Sequence, residues 1–347
     1  MTLRIAVCNG QIPFVRGGAE ILADALVERL RQRGHQVELV QLPFKWHPKG
    51  EVLKSYLAWR LVNLHESEGQ PIDRVIALKF PAFVVQHAHK VTWLVQQFRQ
   101  AYDMHGTEYG YFDESEPDTE LRRTIRQMDT RTLGESRHIF TISGNVGNRL
   151  RRYNHLESET LYPPPALDGQ FYNRGYGDYV FSICRLNHTK RVDTLIRAMA
   201  HTRTPVRCKI AGRGEESEAL KRLAREAGVA ERIEFLGFVS DEEALDLYAG
   251  ALAVYYAPMD EDYGLATVEA MKSQKPVLTT DDSGGVLEFV DDGETGYVTP
   301  AGDHAAMAKR IDELCENRDT AEQIGEAAQR RVAPICWDAV VDRLLKV

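Results

Sequence analysis

Short apolar runs alternate with amphipathic stretches along nearly the whole chain. Leu3–Cys8 is an apolar run that predicts a buried strand. Gly17 and Gly18 then open a stretch with Ile21, Leu22, Ala25, Leu26 and Leu30 at helical spacing. Gly34 stands where a glycine ends a helix. Gln36–Leu42 alternates like a strand, and Arg74–Leu78, Val91–Val95 and His138–Ile142 are further apolar runs. Ser143 is placed to cap the helical stretch that follows. After the three prolines of Leu161–Ala166 the pattern restarts. Tyr179–Cys184, Val206–Ala211, Arg232–Leu236, Ala251–Tyr256 and Pro276–Thr280 predict strands. Helices are predicted over Lys190–His201, between the second and third of these strands, after a capping box at Ser240 and Glu243, and from about Leu265. Trp337–Leu345 closes the chain as a helix.

Strand–helix–strand repetition predicts an α/β protein with parallel sheets covered by helices on both faces. The proline run can neither continue a helix nor enter a central strand. It divides the chain into an N-terminal domain, 1–163, and a C-terminal domain, 164–333, each doubly wound.

A length of 347 residues suits two domains. There is no apolar run of about 18 residues for a spanning helix and no basic-then-apolar signal segment. The five cysteines are scattered without a CxxC pair, which argues against a zinc site or a disulfide framework and fits a reducing cytoplasm. The net charge of −8 is uneven: residues 1–165 carry 21 Lys+Arg against 19 Asp+Glu, and residues 166–347 carry 22 against 32. Such a chain is a poor partner for nucleic acid. On charge alone the front half is the better candidate for contact with phosphates.

The stretch from Asp260 to Met271 lies between two predicted strands, at the C-terminal end of the first, where open α/β sheets bind ligands. Tyr263, Gly264 and Leu265 would present backbone N–H groups at a helix N-terminus, an anion site. Glu261 and Glu269 could accept hydrogen bonds from hydroxyls such as those of ribose, although acidic residues also suit a helix start on dipole grounds. Arg185 and Lys190 follow a predicted strand and could hold a diphosphate, or be solvated loop cations. Gly212 and Gly214 form an incomplete nucleotide fingerprint, lacking the third glycine, and read better as only a tight turn at the sheet edge. Gly17 and Gly18 would let backbone approach a ligand, or simply be a flexible turn.

Together these residues resemble the family 4 glycosyltransferases, retaining enzymes of the GT-B architecture. The resemblance is carried by Gly17–Glu20, by Arg185 and Lys190, by Glu261 and Glu269 in the stretch to Val277, by Ser283–Gly285 and by Gly293–Gly296. It implies two Rossmann-like domains facing a central crevice, with a last helix, about 334–347, returning to the N-terminal domain and anchored by Trp337. Its implied activity is transfer of a sugar from a nucleotide-diphosphate sugar, UDP- or GDP-linked, to a glycan, lipid-linked or small-molecule acceptor. Arg185 and Lys190 would bind the donor diphosphate, Glu261 would touch the transferred sugar, and Glu269 would hold the ribose. Gly264 and Leu265 would supply amides, Phe235–Phe238 would lie beside the base with Gly212 and Tyr263 in the donor site, and Gly18, with Gly17, would approach the diphosphate. No cofactor and no metal are expected. The other reading is a non-catalytic nucleotide-sugar-binding subunit on the same fold. A dehydrogenase would need a complete glycine-rich turn, which is missing.

Departures from the family pattern are also visible. Many relatives carry a histidine on the acceptor side of the N-terminal domain; the corresponding run here has Gln96 and Gln97, with His87 and His89 upstream. Lys272–Gln274 stands where relatives often have a small residue and a glycine. Finally, Lys45, Lys49, Lys54 and Arg60 accompany Trp46, Val52, Leu53, Tyr56, Leu57, Trp59 and Leu64. A basic amphipathic helix of this kind fits peripheral contact with an anionic membrane, the acceptor groove of the N-terminal domain, or an ordinary helix packed on a sheet.

Overall fold

The computed structural model describes residues 2–347. They form two compact units, residues 2–166 with 335–347, and residues 167–334. Six parallel strands make the first unit's sheet, in the order β2-β1-β5-β6-β7-β8. They are β1 (Arg4–Gln11), β2 (Gln36–Pro43), β5 (Arg74–Ala77), β6 (Lys90–Leu94), β7 (His138–Thr141) and β8 (Glu159–Thr160). A two-residue hairpin, β3 (Glu66–Ser67) with β4 (Gln70–Pro71), lies outside it. The crossovers include α1 (Gly18–Gln32), α2 (Glu51–Leu61), α3 (Glu116–Gly134) and α4 (Gly144–Asn154). Central strands buried on both faces read as unbroken apolar runs. Val7 of β1 is fully buried, in register with Leu39 of β2 and Ile76 of β5.

The second unit has six parallel strands in the order β11-β10-β9-β12-β13-β14. They are β9 (Tyr179–Ile183), β10 (Arg207–Ala211), β11 (Ile233–Gly237), β12 (Ala253–Tyr255), β13 (Val277–Thr280) and β14 (Gly296–Thr299). Its helices are α5 (Val192–His201), α6 (Ser217–Glu226), α7 (Asp241–Gly250), α8 (Leu265–Lys272), α9 (His304–Glu316) and α10 (Arg318–Val332). This is the doubly wound order in which the chain runs outward from β9, then jumps back across it to β12. The last helix, α11 (Trp337–Lys346), packs on α1 in the first unit. The Trp337 indole N–H donates to the Pro165 carbonyl at 3.0 Å, and its ring meets Trp93 edge-on.

Helix ends follow the sequence signals. The Ser143 hydroxyl accepts from the Val146 N–H, and Ser240 and Glu243 form the reciprocal box. Gly34, at φ +85°, ends α1 in a Schellman turn: its N–H goes to Arg31 and that of His35 to Leu30. The helix expected from Lys190 begins later. His188–Lys190 is a 3-10 turn, Arg191 takes a left-handed conformation at φ +48°, and α5 starts at Val192. Arg191 is held there by the carbonyls of Ala257 and Pro258, the Thr280 hydroxyl and the Asp282 carboxylate. One guanidinium thus ties together the loops after β9, β12 and β13.

Candidate functional site

A doubly wound sheet opens a crevice where its strand order reverses, because the loops on either side turn away to opposite faces. In the second unit that point lies between β9 and β12. Lys190 comes from the loop after β9, and Tyr256 and Glu261 from the loop after β12. The Lys190 ammonium pairs with the Glu261 carboxylate and donates to the Tyr256 hydroxyl at 3.0 Å, lying 5.4 Å from the centre of that ring. The Tyr256 hydroxyl also donates to Glu261 at 3.2 Å. Burial alone would lower the Lys190 pKa, but Tyr256 and Glu261 outweigh it and hold the amine charged, well above its ordinary value. Cys184, at the end of β9, feels the same groups. Burial pushes its thiol up to about 11, with Lys190 pulling it down and Glu261 up.

The N-terminus of α8 meets this cluster. Gly264 caps the helix at φ +84°, and a Cβ there would stand 3.0 Å from the Tyr256 ring and 2.8 Å from Val286. Only glycine satisfies both the dihedral and the space. Leu265 begins the helix; the Thr267 N–H donates to the Gly264 carbonyl at 2.9 Å, and the N–H groups of Leu265 and Ala266 lie ahead of that first helical acceptor. Tyr263, just before it, is buried edge-on against Phe289. The sequence motif Ser283–Gly285 finds its reason here. The Gly285 N–H donates to the Glu261 carbonyl at 2.8 Å, and a Cβ on Gly284 or Gly285 would strike backbone of residues 260–262. The two glycines let one loop lie directly on the loop that carries Glu261.

Glu269 projects from α8 and accepts from the buried Tyr248 hydroxyl at 2.8 Å. Burial raises its carboxyl, with Tyr248 opposing. Arg185 is exposed just after β9. Gly212, at φ +122°, and Gly214 press against the Cys184 and Leu186 carbonyls, so their clearest role is to let the loop after β10 lie on the loop after β9. Phe238, beyond β11, is 73% exposed, with the Arg213 guanidinium 6.0 Å from its ring centre. Sequence reasoning passes over Arg191 and over the Asp260-x-Asp262 pair, which the DED spelling makes visible. Among the described residues no three His, Cys, Asp or Glu side chains form a group that could hold a metal ion.

In the first unit Gly17 caps α1 in an extended conformation, and Gly18 opens the helix. The Glu20 carboxylate accepts from the Gly17 N–H at 2.9 Å and pairs with Lys79. His87 and His89 sit before β6, at the N-terminal end of the sheet, and His87 is spent on the Ile72 carbonyl at 3.0 Å. They lie at the opposite end of β6 from Gln96 and Gln97.

The basic helix separates into two apolar stripes. Val52, Tyr56 and Trp59 face the core, while Leu53, Leu57 and Leu61, one helical row, are exposed at 36%, 59% and 74%. Three of the four counted cations are paired: Lys49 with Asp118, Lys54 with Glu51 and Arg60 with Glu135. Among the described residues no helix is long and apolar enough to cross a membrane.

Residues 173–331 match the family described as glycosyl transferases group 1. The chain is 30% identical over 167 residues to the D-inositol 3-phosphate glycosyltransferase of Streptomyces coelicolor, covering 45% of this chain and 36% of that one. It is also 30% identical over 203 residues to a GDP-mannose-dependent alpha-(1-6)-phosphatidylinositol monomannoside mannosyltransferase of Mycobacterium tuberculosis, covering 54% and 52%. The chain thus spans between about a third and a half of the curated relatives it matches. Its fold extends further. Sucrose-phosphate synthase from Thermosynechococcus elongatus superposes with a TM-score of 0.76 at 18% identity, covering 99% of this chain and 97% of that one. Anabaena HepE in complex with UDP-glucose gives 0.73 at 18%, covering 98% of both. Nearly the whole C-terminal unit thus matches the glycosyl transferases group 1 family, and the chain as a whole has the two Rossmann-like domains of the GT-B architecture.

Proposed function

We propose that the protein is a retaining, metal-independent glycosyltransferase that uses a nucleotide-diphosphate sugar as donor and a glycan or lipid-linked acceptor. The observation that carries this reading is the meeting of Lys190, Tyr256, Glu261 and the α8 N-terminus at the strand-order reversal of the second unit. Charge develops on the departing diphosphate, and fixed cations and amides aimed at it are the main source of catalysis in such a transfer. Lys190 would exchange part of its contact with Glu261 for a phosphate oxygen, and Arg185 would add a planar fork. The first-turn amides of α8 favour negative charge there. Glu269, positioned by Tyr248, would accept ribose hydroxyls, and Phe238 would offer a stacking surface to the base. Retention of configuration comes with the family resemblance, and these side chains and amides supply charge that a metal would otherwise bring.

The test is release of nucleoside diphosphate from UDP- and GDP-sugars, run beside a melting-point panel of the same compounds. A ligand that binds only the folded state raises the melting point. Melting shifts without turnover against any acceptor would favour the non-catalytic binding subunit, and neither response would remove the reading altogether.

A cytoplasmic protein resting on a membrane face belongs to the same reading. Its support is now the exposed row of Leu53, Leu57 and Leu61, since most of the neighbouring cations are paired. Binding to anionic vesicles should then depend on Leu57 and Leu61 and respond weakly to salt. Co-sedimentation of the parent and of Leu57→Glu decides it, and a parent that stays in the supernatant ends the membrane idea.

A further inference from the structure

In the second unit Lys190, Tyr256 and Glu261 close a triangle of hydrogen bonds. The ammonium donates to the Tyr256 hydroxyl at 3.0 Å and pairs with Glu261 Oε2, and the hydroxyl donates to that same oxygen at 3.2 Å. The tyrosine is the fixed corner. Its N–H donates to the Leu278 carbonyl of β13 at 3.0 Å, and its buried ring lies against the Gly264 cap of α8. Burial, and then Glu261, raise its hydroxyl well above the ordinary tyrosine value. It therefore stays protonated, accepting from Lys190 while donating to Glu261. The other two corners are open to ligand: 18% of the Lys190 side chain and 25% of the Glu261 side chain reach solvent.

This triangle sets a condition on the site. Without ligand, Lys190 is already neutralised by a carboxylate. A diphosphate that draws on the amine meets the Glu261 charge beside it, and two anions on one cation repel. A sugar hydroxyl that donates to Glu261 relieves the conflict, because the carboxylate then has a donor of its own. The Tyr256 hydroxyl keeps order during the exchange. When Glu261 turns to the sugar, it still holds the amine. When the amine turns to the phosphates, it still holds the carboxylate.

We propose that Glu261 competes with the diphosphate for Lys190, so that the amine serves the intact nucleotide-diphosphate sugar and is taken back from the bare nucleoside diphosphate, with Tyr256 as the positioning residue on which the exchange turns. The inference rests on the transferase reading and adds how the site tells substrate from product. Before transfer, the sugar occupies Glu261 and the amine faces the phosphates. After transfer the sugar no longer donates to Glu261, the carboxylate recovers Lys190, and the spent nucleoside diphosphate leaves. A built-in repulsion of this kind discriminates against the ligand that lacks the matching group.

Titration calorimetry on the intact chain without acceptor tests this, with UDP, GDP, UDP-glucose and GDP-mannose as probes. Glu261→Gln keeps the shape and removes the charge. It should tighten binding of UDP or GDP by at least about threefold, and should narrow the preference for the sugar-bearing form by at least about tenfold. Tyr256→Phe keeps the ring and removes the hydroxyl. It should lower turnover at saturating donor by at least about fivefold, but by less than about twofold once Lys190→Met is in place. A tyrosine that merely supported the fold would give the same loss in both backgrounds. Weaker or unchanged diphosphate binding by Glu261→Gln, or equal losses from Tyr256→Phe with and without Lys190, overturns the proposal and leaves the transferase reading standing on the parent's turnover. If Glu261→Gln does not fold, the tyrosine cycle decides. A parent that binds none of the four compounds overturns the transferase reading and the exchange with it.

Discussion

Each unit sets a lysine against a glutamate where its strand order reverses. In the first unit Lys79, after β5, pairs with Glu20 at the start of α1. In the second, Lys190, after β9, pairs with Glu261, after β12. The surroundings differ. Glu20 is committed to the Gly17 N–H, and the pair is bordered by phenylalanine rings and glutamine amides. Lys190 shares its proton with a tyrosine hydroxyl, next to a helix N-terminus built on a left-handed glycine. The same topological position thus carries an aromatic and amide surround in one unit and a cation, a hydroxyl and a carboxylate beside a helix N-terminus in the other. Charge counted by halves points the opposite way, because the groups proposed to bind the diphosphate sit in the strongly acidic half. Placement of a few cations at a strand-order reversal outweighs the balance of the surface around them.

The largest expected effect separates the two lysines. Lys190→Ala should lower turnover by at least about tenfold, since one electrostatic donor at a leaving group is worth about 3 kcal/mol. Arg185→Ala should act in the same direction. Lys79→Ala should leave turnover at saturating acceptor within about threefold, with any loss in the acceptor's KM. Nucleoside diphosphate release measures all three. Equal losses for Lys79→Ala and Lys190→Ala would erase the distinction between the two positions.

The glycines that cap the two helices at these positions provide the next test. Gly264→Ala must adopt φ +84° with its methyl 2.8 Å from Val286, and should cost about 2–3 kcal/mol. Gly17 is extended, and a Cβ there would make only an ordinary contact at 3.7 Å. Gly17→Ala should therefore cost less than about 1 kcal/mol, as at other helix starts. Chemical denaturation of both variants decides. A Gly17→Ala protein that folds well yet fails to bind nucleotide would place Gly17 in the donor site rather than in the fold.

How much of this was legible in the sequence depends on how local each feature is. Strands buried on both faces showed as apolar runs, the Ser143 cap showed by its place ahead of a helical stretch, and the Ser240 cap by its three-residue spacing to Glu243. The loop of Glu261 and Gly264 was legible because its residues are neighbours in sequence. Arg191 was not, since its partners lie 66 to 91 residues away. Nor were two buried lysines that read as surface charges. Lys90 donates to the carbonyls of Phe83, Val85 and Thr132, and burial pulls it down to about 8. Lys275 is enclosed by Asn173, Gly175 and the Tyr176 ring, and burial pulls it down to about 7. The helix at 51–61 misled for another reason. Its apolar positions formed one list in the sequence but fall on two faces of the helix, and only one of those faces the core.

Buried carboxylates held by tyrosines occur in both units and extend the comparison to pH. Burial raises Asp129 to about 7, opposed by the hydroxyls of Tyr102 and Tyr56. An acid raised by folding takes up a proton on folding. Its contribution is fully present below the unfolded value of about 4 and is lost as pH climbs through 7. Stability at pH 5 should exceed that at pH 8 by about 2 kcal/mol from this group, and Asp129→Asn should flatten the difference. Urea midpoints at the two values check it. Glu269 is raised in the same direction, but its expected role is in binding. Glu269→Ala should raise the donor KM severalfold and leave turnover nearly unchanged.

The smallest expected effect compares two helix ends. Both α1 and α8 close in a Schellman turn, α8 with the Gln274 N–H on Met271 and the Lys275 N–H on Ala270. Where α1 has Gly34 at the left-handed position, α8 has Gln274 at φ +57°. A left-handed non-glycine residue costs about 1 kcal/mol. Gln274 offsets this with its side chain, which donates to Gln329 at 2.9 Å and accepts from Asn173 at 3.0 Å. Gln274→Gly relieves the strain but loses both bonds and makes the unfolded chain freer, so stability should move by less than about 0.5 kcal/mol. Gly34 has no neighbour within 4 Å that could reward a side chain. Gly34→Gln should then cost about 1 kcal/mol with nothing to offset it. If Gln274→Gly instead stabilised by more than about 1 kcal/mol, the glutamine would be strain that the second unit tolerates, and its bonds to Gln329 and Asn173 would carry no weight in holding the end of the helix that begins at Gly264.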